Sequence, residues 1–193
     1  GKGKMKYKRG SVYEGDWKDD NRHGKGFYTH WSGDVYDGEW KDDKKHGKGK
    51  SIEIWEQGGK TRKLVYDGEW KDGEKHGKGV CMYYNFGFDW IKYDGEWNKD
   101  QKHGEGRMSW SDGRVYTGEF KRNKKHGRGI ERKFEGKFRL LYNGIWEKDR
   151  LVVGDHHYYQ YNEYNYHIHI PDGSQRLVKK VEDETLAREG LQE

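Results

Sequence analysis

Three things are scarce in this chain of 193 residues: cysteine, proline and long apolar runs. With Cys81 as the only cysteine, an internal disulfide is excluded and a reducing compartment is expected. No apolar stretch approaches the roughly 20 residues that a membrane-spanning helix needs, and no signal-peptide pattern is visible. Aliphatic side chains are few as well. A mean hydropathy of −1.44 with 38% charged residues is a composition shared with chains too polar to offset the entropy of ordering. The rings argue the other way: 9 Trp, 15 Tyr and 6 Phe supply apolar surface of their own. An ordered but shallow structure is expected. The net charge of +5 comes from 39 basic and 34 acidic residues in close alternation, a mixed solvated surface and not a nucleic-acid stripe.

The rings are periodic. The strings YEGDW at Tyr13, YDGEW at Tyr36, Tyr66 and Tyr93, YTGEF at Tyr116 and YNGIW at Tyr142 form one series. The first five are followed, ten residues after the Tyr, by His-Gly-x-Gly at His23, His46, His76, His103 and His126. Successive Tyr positions lie 23, 30, 27, 23 and 26 residues apart, so 23 is the basic unit. The extra residues fall after HGxG, as IWEQGGKTRKLV and NFGFDWIK.

Side chains alternate across a strand, so Tyr-x-Gly-x-Trp puts both rings and the glycine on one side. A glycine between rings leaves a slot in which a side chain of the next unit lies against bare backbone. Segments such as KDDKK turn the chain, HGKG opens a return strand, and SGD at Gly33 and SDG at Gly113 are hairpin turns. Each unit is predicted to be a two-stranded hairpin joined to the next by another hairpin. Helix is disfavoured, because glycine is frequent and no 3.6-residue stripe runs through the units.

On these residues the chain resembles the MORN repeat family (membrane occupation and recognition nexus). The resemblance covers about residues 1–155. It implies an all-β fold, an elongated single-layer antiparallel array of β-hairpins. It also implies that Gly1-Lys2-Gly3 is the tail of a further HGxG, so that the chain as given begins inside a unit. The insertions ending in GGKTRKLVYDGEW and FGFDWIKYDGEW, with GEGRMSWSDGRVY, are similar to those of a sperm and ciliary member.

The sixth unit keeps Tyr142, Gly144 and Trp146 but has RLVVGD in place of HGxG, as terminal repeats degrade where one face meets solvent. Residues 156–193 are expected to be a cap. HHYYQYNEYNYHIHI reads as one or two capping strands and Pro171-Asp172-Gly173 as a turn. Leu177, Val181 and Leu186 suit a short amphipathic helix with Ser174 as N-cap.

Several chemical motifs dissolve in the repeat. Gly49-Lys50-Ser51 mimics the end of a phosphate loop, but Lys44 occupies the required upstream glycine position. The five HGxG histidines recur one hairpin apart, about 10 Å, too far to share one ion, and a strand–turn role is expected for them. His167 and His169 could form half a metal site on one side of a strand, with His156 and His157 nearby; cap histidines are the plainer reading. Glu39, Glu69, Glu96 and Glu119 are periodic and flanked by lysine, which points to cross-strand or surface ion pairing. No cofactor and no catalysis are expected.

The functional expectation is a scaffold. The row Tyr13/Trp17, Tyr36/Trp40, Tyr66/Trp70, Tyr93/Trp97, Tyr116/Phe120 and Tyr142/Trp146 would form an aromatic groove for an extended or helical partner segment, each ring packing between repeats and presenting one edge. The resemblance implies other proteins of a larger assembly as partners, in a motile cilium or flagellum, in an axonemal complex such as a radial spoke. The alternative it implies is a peripheral phosphoinositide-binding module, with Lys44-Lys45 and Lys124-Lys125 meeting anionic phospholipid from turns. End-to-end self-association is a further expectation.

Overall fold

Tyrosine, tryptophan and valine separated by single polar residues favour extended backbone, and in the computed structural model each such run is a strand. The structure describes residues 1–85, 89–135, 138–161, 166–169 and 175–178, with side chains through Gly154 except those of residues 135 and 138. Strands are β1 (Lys2–Lys6), β2 (Val12–Lys18), β3 (Asn21–Thr29), β4 (Val35–Lys41), β5 (Lys44–Gln57), β6 (Lys60–Lys71), β7 (Glu74–Tyr84) and β8 (Trp90–Asn98). They continue as β9 (Gln101–Trp110), β10 (Val115–Lys121), β11 (Lys124–Glu135), β12 (Phe138–Glu147), β13 (Arg150–Tyr161), β14 (Tyr166–His169) and β15 (Gln175–Val178). All lie in one open antiparallel sheet, in strict sequence order from β1 to β15. At ~4.8 Å per strand it extends on the order of 70 Å. Gln175–Val178, expected to begin a helix, is instead a strand paired with β14. Pairing with β14 supplies its backbone partners, and β-branched Val178 suits an extended strand. Ser174, Val181 and Leu186 lie outside the described residues.

Two kinds of turn alternate. On one edge the connections are two residues long, and both residues have positive φ: Asp42 at 48° and Asp43 at 64°, Lys99 at 49° and Asp100 at 60°. This is the turn whose twist matches that of the strands it joins. On the other edge most turns are longer, with glycine as the left-handed residue at Gly33 and Gly113 (φ 97° and 87°), while β5 and β6 are joined by the two-residue turn Gly58-Gly59 (φ 62° and 69°). The inserted residues lengthen the hairpins on this edge: β5 has 14 residues and β6 has 12, against 7 for β4.

Register produces a feature that the unit alone does not display. Gly3 pairs with Gly15, Gly15 with Gly26, Gly26 with Gly38, and so on to Gly129, Gly144 and Gly154. One glycine per strand forms an unbroken row across β1–β13. A Cβ on Gly38 would lie 2.5 Å from Gly49 Cα and 2.7 Å from the Tyr36 hydroxyl, so no side chain fits there. The row is a trench in the sheet, and the tyrosines lie in it.

Candidate partner-binding face

Each repeat tyrosine crosses the glycine row of its own unit. Tyr36 covers Gly49 and donates its hydroxyl to the Glu39 carbonyl at 2.9 Å; Tyr66 and Tyr93 donate likewise to Glu69 and Glu96 at 2.8 and 2.9 Å. The slot expected for a neighbouring unit's side chain is thus filled from within the unit. The neighbour's contribution is tryptophan. Trp40 Nε1 donates to Gly26 O at 3.0 Å, Trp70 to Gly49 O at 2.9 Å, Trp97 to Gly79 O at 3.0 Å and Trp146 to Gly129 O at 2.9 Å. Tyrosine and tryptophan then alternate edge to face. Tyr36 lies 5.1 Å from Trp40 and 5.4 Å from Trp70, and the series runs from Trp17 to Trp146 without a gap. Such contacts add about 0.5–1.5 kcal/mol each beyond area burial.

This arrangement decides where the expected groove residues stand. Tyr13, Tyr36, Trp40, Tyr66, Trp70, Tyr93, Trp97, Tyr116, Phe120 and Trp146 are buried, none more than 7% exposed. Trp17 and Tyr142 are half-buried and pack against them. The expectation that every ring keeps an exposed edge is not met for those ten, because the glycine trench lets each ring sink to backbone level. The row is the core of the sheet. Burial also pushes the phenols of Tyr36, Tyr66, Tyr93 and Tyr116 well above their ordinary value near 10, with Glu39, Glu69, Glu96 and Glu119 adding to the shift.

What lies over the rings is cationic. Arg22 sits 4.2 Å above the Trp40 ring, Lys45 4.5 Å above Trp70, Lys75 5.5 Å above Trp97 and Lys125 4.7 Å above Trp146, while Lys102 is 5.5 Å from Tyr93. Burial lowers the pKa of the Lys45 and Lys102 ammoniums. These five precede the five HGxG histidines. Sequence reasoning missed them, although theirs is one of only two charged positions that keep one sign in every full unit. Lys45 and Lys125, expected in turns, reach back over the rings instead.

The other sign-keeping position explains the carboxylates. The first glycine of each HGxG is left-handed, as at Gly47 (φ 57°), and the register slips there by a bulge. In four of the five full units the acid before the second ring accepts the amide freed by that bulge: Lys25 N–H to Asp16 at 3.0 Å, Lys48 to Glu39 at 3.1 Å, Lys78 to Glu69 at 3.0 Å and Arg128 to Glu119 at 2.7 Å. Ion pairing is not their main role, since the backbone has already claimed an oxygen of each.

Units are also stapled at the short turns. Asp43, Asp100, Asn123 and Asp149 accept the amides of Arg22, Lys75, Lys102 and Lys125 at 2.9–3.0 Å. His23 and His46 reach toward Asp42 and Asp72 at the same junction, at 3.6 and 3.8 Å. Gly49-Lys50-Ser51 is extended and paired with β6, and Ser51 is fully buried, so the segment forms no phosphate loop. Among the described residues no group of three or more His, Cys, Asp or Glu is placed to hold a metal ion. The side chains of His156, His157, His167 and His169 lie outside the described residues.

The long hairpins extend the ring face into an apolar shelf, where Leu64, Tyr83, Ile91 and Trp110 stand in register one step beyond the tyrosine row. Trp55 packs on Tyr83 at 5.9 Å, and a cleft of about 290 Å³ opens between Tyr83, Trp90, Ile91, Trp110 and Arg114. Trp31, Trp55 and Phe134 on this edge are exposed.

The MORN repeat profile matches residues 13–35, 36–52, 66–87, 93–113 and 116–138, more than half of the chain. The chain belongs to the MORN repeat family. Among curated proteins there is no match to this MORN chain. MORN repeats occur in scaffolds that bind proteins or membranes, and the family is typically non-enzymatic.

Proposed function

We propose that this MORN chain is a non-enzymatic protein–protein interaction scaffold that docks other proteins of a larger assembly on its ring face. The observation that carries the reading is a sheet one layer thick: its aromatic side has cations and an apolar shelf above it and no second layer among the described residues. Surfaces with aromatic bodies and polar handles favour protein interfaces. The setting we propose is the axoneme of a motile cilium or flagellum, in a radial spoke or doublet-associated complex. That part rests on the insertions, which resemble those of MORN repeat-containing protein three, a sperm and ciliary member. End-to-end association of arrays belongs to the same reading.

The test is cross-linking of the native protein in ciliated cells, followed by detergent extraction. Retention in the detergent-insoluble axoneme with cross-links from ring-face lysines is the expected result. Full release with the membrane fraction would overturn it. One observation favours a second reading, a phosphoinositide-binding membrane tether: the turn Lys121-Arg122-Asn123-Lys124 is exposed and carries three cations without an acid. Each cation near an anionic surface contributes about 1 kcal/mol. Salt-resistant flotation with phosphoinositide liposomes would put this reading first.

A further inference from the structure

The cation row on the ring face is uneven in a way that identifies what it receives. At its ends the charges are satisfied: Arg22 pairs with Asp43 at 2.9 Å, and Lys125 with the buried Glu131. In the middle, Lys45, Lys75 and Lys102 form no ion pair among the described residues. They occupy equivalent positions on β5, β7 and β9, two strands apart. Each ammonium is drawn over aromatic rings and partly out of water, and Lys102 Nζ leans to 3.6 Å from Met108 Sδ, toward the shelf. A cation in such a place gains more from a carboxylate than an exposed lysine does.

We propose that Lys45, Lys75 and Lys102, with the shelf at Leu64 and Trp110, receive an acidic amphipathic α-helix of a partner protein, laid across the strands with carboxylates at positions i, i+7 and i+14. This rests on the scaffold reading above and narrows it to one class of partner. The spacing selects the helix. Two strands at ~4.8 Å separate neighbouring lysines by about 9.6 Å, and seven helical residues at 1.5 Å rise span about 10.5 Å. Over both intervals the mismatch is about 2 Å, within the swing of a lysine side chain. An extended segment meets 10 Å every three residues, at ~3.3 Å each, and so turns alternate carboxylates to its far side. The helix's apolar stripe falls on the shelf.

The test uses the full chain and two labelled 21-residue helical peptides of identical composition, one with Glu at positions 4, 11 and 18, the other with Glu at 4, 9 and 14. Fluorescence anisotropy is expected to give a Kd at least tenfold lower for the first peptide. Lys75→Gln is expected to weaken that binding about tenfold and Lys75→Arg to retain it, with unchanged far-UV circular dichroism. If Lys75→Gln fails to fold, Lys45→Gln and Lys102→Gln carry the same expectation. Equal affinity for the two peptides would overturn the proposal. So would vesicles containing phosphatidylserine binding through the same lysines while neither peptide binds, or concentration-dependent self-association that Lys75→Gln abolishes. The native cross-linking described above reads the scaffold function independently of helix register, so the two failures are distinguishable.

Discussion

The sixth unit, set beside the five before it, separates what a repeat gives backward from what it gives forward. It keeps Trp146, which still donates to Gly129 O at 2.9 Å, and Asp149, which still accepts the Lys125 amide at 2.9 Å. It lacks HGxG, and Ile145 stands where the other units have an acid to cap the bulge. Tryptophan and the turn acid therefore belong to the interface with the preceding unit, while HGxG and its acid belong to the unit's own hairpin. A terminal unit needs only the first pair. The register bears this out, for Gly144 still pairs with both Gly129 and Gly154 and the glycine row continues through it.

High pH gives the largest effect, and it falls on the five full units. A phenol whose folded-state pKa is raised contributes stability that is complete below the unfolded value near 10 and is lost as pH rises through the folded value. Tyr36, Tyr66, Tyr93 and Tyr116 are raised together, so the array should unfold cooperatively above about pH 10. The phenolate absorbance of these residues should appear with the loss of β circular dichroism; ionisation of all tyrosines in a folded sheet would contradict it. Next, Gly106→Val puts a branched side chain where a Cβ alone already lies 2.6 Å from the Tyr93 ring. Splitting of the array or failure to fold is expected, read by limited proteolysis.

Trp70→Ala should cost about 3–5 kcal/mol in urea unfolding, and Trp17→Ala markedly less, because Trp17 is only half-buried. Equal losses would break the distinction between interior and end. Glu69→Ala frees the Lys78 amide of the bulge and should cost about 1–2 kcal/mol. The smallest change is a gain. Phe120 has no N–H to offer where the other units have tryptophan, so Phe120→Trp should stabilise by about 1 kcal/mol. A drop in Tm would show that the fourth interface has been cut to fit the smaller ring.

The fold was legible because its signals are local. Alternation around Tyr-x-Gly-x-Trp, the Asp and Gly turn residues and the 23-residue period all act within one hairpin, and the structure agrees with each. The site was less legible, for reasons tied to particular residues. Tyr36 and Trp40 read as binding rings because aromatic side chains suit interfaces and cores equally, and only the pairing of Gly38 with Gly49 reveals how deeply they sink. Lys45 read as a turn cation because its own strand does not show that Trp70, 25 positions later, lies beneath it. Glu39 read as a surface ion because the bulge at Gly47 exists only once two strands pair.

The sequence by itself determined that the chain is a series of β-hairpins organised by rings, since side-chain alternation and turn chemistry are properties of a few neighbouring residues. The tertiary structure alone decided which surface faces outward. Register brings thirteen glycines into one line, the rings drop into it, and the lysines close over them. Cross-strand register depends on every hairpin at once, and no single repeat contains it.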